Sequence, residues 1–197
     1  MRRYMVLGKR TIKVAVLAVG LVLGGYYGYQ WYQSYSSEQG DIRSYKAGID
    51  EQYIKREFQE NWYTLIANPS YDVDFMLQRR APNNYEPQYF GKMDIKMLYH
   101  DNRPIGFITY YMQTSYQGDI LFLVIDKEFR GKRYGEKLLN YAFDQMKKEG
   151  AKTVKIFTRT ENTAAQRLYT RIGFVETGRL SKDIQPKEGG IFYRKEL

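Results

Sequence analysis

Arg130, Gly131, Lys132, Arg133, Tyr134 and Gly135 put three cationic side chains and two glycines into one short turn. The turn separates two hydrophobic rhythms. Before it, residues 120–125 form an apolar run bounded by Gly118 and by charges, the pattern of a short strand buried on both faces. After it, Leu138, Leu139, Ala142, Phe143 and Met146 recur at helical spacing, with Glu136, Lys137, Lys147 and Lys148 elsewhere on the wheel. A helix that starts here leaves its first N–H groups without partners, pointing into a loop that already carries three cations. Such a strand, basic turn and helix make an anion site suited to phosphate. The same residues also suit a solvated surface turn with no ligand, and the spacing by itself leaves both readings open. A Walker-type loop and a G-x-G-x-x-G fingerprint are absent.

A second strand-like run, residues 153–158, is followed by Asn162, Ala165, Tyr169, Gly173 and Phe174. Asn162 suits the N-cap of a helix and Gly173 its C-terminal stop, so this helix forms whatever else it does. Arg130-x-x-x-x-Gly135 after an apolar strand, then N-x-x-A-x-x-x-Y-x-x-x-G-F from Asn162 to Phe174, resembles the two signature segments of the GNAT superfamily of acyl-CoA-dependent N-acetyltransferases. The resemblance is most specific over residues 120–174 and extends over 42–197.

It implies an α+β fold with a GNAT-type mixed central β-sheet flanked by helices. It implies acetyl-CoA as co-substrate and direct attack, in a ternary complex, by a primary amine of a protein or small molecule. On this resemblance the backbone from Arg130 through Gly131, Lys132, Arg133 and Tyr134 to Gly135 holds the CoA diphosphate. The strand edge at Leu123, Val124 and Ile125 pairs with the pantetheine arm, Asn162 hydrogen-bonds near it, and Tyr169 protonates the departing thiolate. A core tyrosine is the plainer reading of Tyr169. The family loop is R/Q-x-x-G-x-G/A, and Arg133 stands at the first of those glycines, where a side chain either crowds a pyrophosphate or adds a cation beside it. Asp119 and Glu161 are the carboxylates placed to approach the cleft as acceptors of the ammonium proton; each also suits a solvated surface charge. The alternative function is a non-catalytic, membrane-tethered module of the same fold that binds a CoA-like or other anionic ligand.

The chain has no cysteine and one histidine, His100, which excludes thiol nucleophiles, disulfides and Cys/His zinc sites. No metal is expected. His100 reads as a surface residue in a hairpin turn. Of the formal charge of +9, Arg2, Arg3, Lys9, Arg10 and Lys13 carry five, so the remainder does not call for nucleic acid. Residues 14–37 hold no charge: an apolar run, Val14 to Leu23, leads into Tyr26, Tyr27, Tyr29, Trp31 and Tyr32. Basic residues, an apolar run and an aromatic collar predict a transmembrane anchor, with a signal peptide as the rival. The reading is thus a basic segment 1–13, an anchor 14–32, a linker 33–41 and a domain 42–197. The charge rule puts the N-terminus in the cytoplasm and the domain across the membrane, whereas acetyl-CoA is expected in the cytoplasm.

Within the domain, residues 50–67 predict an amphipathic helix N-capped by Asp50 and stopped at Pro69. Residues 71–90 read as irregular, with Arg79 and Arg80 either facing an acidic acceptor or simply solvated. Residues 93–99 and 105–112 predict a hairpin, and 174–180 and 191–193 two last strands.

Overall fold

Alternation of apolar and polar residues in 94–125 produces three strands that pair in sequence order, and the computed structural model carries them at the centre of a mixed sheet. The structure describes residues 25–27, 40–65, 73–79, 86–89, 92–181 and 189–197. Residues 1–40 and 41–197 form separate units. Of the first, residues 25–27 are helical, with the exposed rings of Tyr26 and Tyr27 edge to face. The rest of the expected anchor lies outside the described residues; among those described, no helix is long and apolar enough to cross a membrane.

In the second unit the order is β1 (Asp41–Ser44), α1 (Glu51–Leu65), α2 (Val73–Leu77), β2 (Asp94–His100), β3 (Arg103–Met112), β4 (Gln117–Ile125), α3 (Tyr134–Lys148), β5 (Thr153–Arg159), α4 (Thr163–Arg171), β6 (Val175–Leu180) and β7 (Gly190–Glu196). Among the described residues seven strands form one sheet, ordered β1-β2-β3-β4-β5-β7-β6, and only β4 and β5 are parallel. Short α2 is the addition to the expected order; it falls in the stretch read as irregular.

Each face of the sheet has its own core. Leu138, Leu139, Ala142, Phe143 and Met146 of α3 and Tyr169 of α4 pack with Ile120, Val154, Ile156 and Tyr193 on one face. Ile54 and Phe58 of α1 and Met76 of α2 pack with Met97, Phe107, Phe122 and Val124 on the other. Burying each such side chain contributes roughly 1.5–3 kcal/mol before entropy is set against it.

Two local expectations change in detail. Asp50 sits at the head of α1 and its carbonyl accepts Ile54 N–H, but its carboxylate takes Lys46 N–H and the Tyr99 hydroxyl instead of a helical amide. The hairpin turn narrows to Asp101 and Asn102, both with positive φ, the geometry of a two-residue turn that matches strand twist. His100 therefore belongs to β2 and is half-buried, not a surface residue of the turn.

Candidate active site

The end of β4 is held from three sides. Asp126 is buried; it accepts the Tyr53 hydroxyl at 2.5 Å, its N–H donates to Ile105 O, and Arg103 lies 3.5 Å from its carboxylate. A 3-10 turn, Lys127–Phe129, follows. Arg130 then folds back, donating from Nε to the carbonyl of Ile125 at 2.8 Å. This signature arginine braces the loop against its own strand. Gly131 has φ of +80°, and a Cβ there would meet nothing within 4 Å, so the loop surface is open at that point.

Arg133 is the N-cap of α3, with φ 63° and ψ 11° and no side-chain cap. The backbone keeps the left-handed geometry that favours glycine although arginine occupies it, at a cost on the order of 1 kcal/mol. Its carbonyl accepts Lys137 N–H, so the helix is properly started. The amides of the first turn are those a helix cannot pair internally. Beneath the loop, the rings of Phe129 and Tyr134 pack on His100 at 5.4 and 6.2 Å, with the Tyr134 hydroxyl 3.4 Å from His100 Nδ1, and Lys132 Nζ lies 5.1 Å from the Phe129 ring centroid. His100 thus supports the loop from below, a role no local motif announces.

Beside the loop the sheet divides. β4 pairs with β5 only from Gln117 with Thr153 to Ile120 with Ile156, yet β4 runs on to Ile125 and β5 to Arg159. β5 stays paired with β7 over its whole length, so β4 is the strand that leaves. The cause is a bulge: Thr109 faces Phe122 and Tyr110 faces Ile120, which leaves Leu121 without a β3 partner, and the Thr109 hydroxyl takes the Phe122 N–H. Bulges bend a strand and increase its twist. Leu123, Val124 and Ile125 thereby keep one edge that no strand covers among the described residues. Close packing at its upper end needs Gly135, where a Cβ would come 3.2 Å from Leu168 Cδ2.

Asn162 caps α4 as expected, accepting Ala165 N–H at 3.1 Å. Gly173, at φ +90°, ends it, with Phe174 N–H bonded to Tyr169 O and Gly173 N–H to Thr170 O. Tyr169 is buried against Phe174 and Tyr193, each at 5.7 Å between ring centroids. Tyr193 pairs with Ile156, so Tyr169 lies at the level where β4 and β5 part. Burial, with Tyr193 adding to it, pushes its phenol well above the ordinary value and keeps it protonated at neutral pH.

Asp119 lies on the opposite face at the closed end of the fork. It accepts the Tyr111 hydroxyl at 3.0 Å and faces Lys155 Nζ at 3.4 Å. Burial raises its carboxyl pKa despite the opposing pull of Lys155 and Tyr111. Glu161 is exposed in the turn between β5 and α4. Arg79 donates to Met93 O at 2.9 Å and to Asp94 at 3.3 Å; Arg80 lies outside the described residues. A 410 Å³ cavity lined by Arg79, Tyr110 and Glu149 among others opens near the start of β4, a strand's length from the loop.

The model for the Acetyltransferase (GNAT) family matches residues 29–174. N-alpha-acetyltransferase 30 of Schizosaccharomyces pombe is 39% identical over 67 residues, 34% of this chain and 45% of that protein. The enzyme of the same description from Saccharomyces cerevisiae is 32% identical over 83 residues, 40% of this chain and 47% of that protein. The chain thus spans about half the length of these curated relatives. Among solved structures, Ard1 from Thermoplasma volcanium superposes with a TM-score of 0.65 at 20% identity, covering 81% of this chain and 98% of that one. A GNAT family acetyltransferase from Elizabethkingia anophelis with acetyl-CoA bound superposes with a TM-score of 0.59 at 18% identity, covering 81% and 99%.

Proposed function

The chain belongs to the acetyltransferase (GNAT) family, and we propose that it transfers the acetyl group of acetyl-CoA to a primary amine. The observation that carries this reading is the fork between β4 and β5 beside the amide-rich start of α3. The residues fit the co-substrate. Amides from Gly131 to Gly135 and the side chains of Lys132 and Arg133 would hold the diphosphate, and the uncovered edge at Leu123, Val124 and Ile125 would take the amides of the pantetheine arm as an added strand. Bound there, acetyl-CoA supplies an activated thioester carbonyl.

The chain's own groups then handle protons. An amine is an ammonium at neutral pH and must lose a proton before its lone pair can form the new C–N bond. Asp119, raised by burial, is the better acceptor of the two carboxylates, reaching the amine through water; Glu161 is exposed. As the C–S bond breaks, the Tyr169 hydroxyl donates its proton to the thiolate, and the second proton, shed by the nitrogen as the amide forms, restores the phenol, which burial keeps in its protonated form. With no cysteine in the chain, no acetyl-enzyme thioester forms and the amine attacks directly.

Binding of acetyl-CoA to the full chain in detergent, followed by calorimetry, tests the first half. Release of CoA to a thiol dye tests the second, and a chain without cysteine contributes no background. Tyr169→Phe should lower kcat by about 10²–10⁴-fold and leave acetyl-CoA affinity within twofold; unchanged turnover would remove Tyr169 from the mechanism. The fungal relatives are named as N-alpha-acetyltransferases, which makes polypeptide amino-termini the first acceptors to try. Residues 14–32 are proposed as a membrane anchor, tested by whether the chain resists carbonate extraction from membranes.

A further inference from the structure

We propose that Phe157 and Phe192 form an acceptor subsite selecting amines that carry a bulky apolar group beside the nitrogen; this rests on the transfer reaction proposed above. Ile156 is the last β5 residue paired with β4, and its side chain belongs to the core beneath α3. Side chains alternate along a strand, so Phe157 points to the other face, the one on which Lys155 meets Asp119. Phe157 is therefore the first β5 side chain beside the open edge of β4 on the face away from α3. Directly across, β7 presents Phe192, with ring centroids 4.8 Å apart.

Two details separate this pair from ordinary core. Phe192 is 39% exposed although it lies within a central stretch of β7, between buried Ile191 and Tyr193. Gly190 leaves room for the Phe157 ring: a Cβ there would lie 2.0 Å from Phe157 Cζ. The strand omits a side chain where the ring rests, so the ring is held in place while its partner stays uncovered. The next row down the same face is Lys155 and Arg194, which disfavours a cationic group on the acceptor. An apolar group seated on the two rings would also lie within reach of the fork, because Phe157 borders it. An enclosed hydrophobic pocket discriminates by roughly 10–200-fold per methylene-sized difference, which sets the upper range for a group seated on these two rings.

The test uses the full chain and two probe sets: peptides with free amino-termini that differ only in a first leucine, phenylalanine, alanine, serine or lysine, and the amines isoamylamine, phenethylamine and ethylamine. The expected result is kcat/KM at least tenfold higher for the bulky apolar members, carried by KM. Phe192→Ala should lower the leucine-to-alanine ratio at least tenfold, with acetyl-CoA affinity and melting temperature held. Gly190→Ala, which displaces the Phe157 ring, should lower the same ratio. Transfer without preference, or a Phe192→Ala defect equal for all acceptors, overturns the subsite alone. Binding of acetyl-CoA without transfer to any probe overturns the transfer reading, and the subsite with it.

Discussion

Arg133 shows how a side chain can depart from a family pattern while the backbone keeps it. Its left-handed φ of 63° is the geometry a glycine would take without strain, and its side chain is exposed. Arg133→Gly should raise stability by about 1 kcal/mol, visible as a Tm increase of roughly 2–4 °C, while weakening acetyl-CoA binding by the loss of one cation. A fall in Tm would mean that the arginine contributes contacts outweighing the strain. Asp119 carries the pH prediction. A carboxyl whose folded pKa is raised binds its proton more tightly in the native state, so its contribution favours folding at low pH and is lost as pH rises from about 4 through the folded value. Asp119→Asn should therefore gain stability relative to the parent as pH rises above about 4, measured by denaturant midpoints across pH. The same substitution should remove the acidic limb of kcat/KM if Asp119 accepts the ammonium proton.

At the scale of elements, the fork depends on how tightly β3 grips the end of β4. Gly106 faces Ile125, and a Cβ at this position would lie 2.5 Å from the carbonyl oxygen of Val124. Backbone cannot step aside as a flexible side chain can, so Gly106→Ala should cost about 1–3 kcal/mol and weaken acetyl-CoA binding by moving the strand that ends in the loop. Calorimetry on the purified variant reads both. The helix from Asn162 and the strand read at residues 153–158, which the structure extends to Arg159, were legible in sequence because caps, alternation and glycine stops act within a few residues. The bulge at Leu121 was not, since it arises from an offset between two strands and from one threonine hydroxyl on the neighbour. His100 was misread for the same reason: the rings that bury it come from Phe129 and Tyr134, some thirty residues on.

At the scale of the molecule, residues 41–197 contain both cores and all seven described strands. Removing residues 1–40 should leave acetyl-CoA affinity within twofold and a single cooperative melt, while abolishing any membrane association; loss of the melt would show that the N-terminal segment contributes to the core. The sequence by itself determined the strand, turn and helix around Arg130 to Gly135, the caps of α4, the absence of thiol chemistry and the family, because these rest on residue type and near spacing. Only the tertiary structure decided that β4 leaves β5 after Ile120, that Asp119 is half-buried beside Lys155 while Glu161 is exposed, and that Phe157 and Phe192 stand together on the open face. Those outcomes depend on register between strands far apart in the chain, where a shift of one residue turns a side chain to the other face of the sheet.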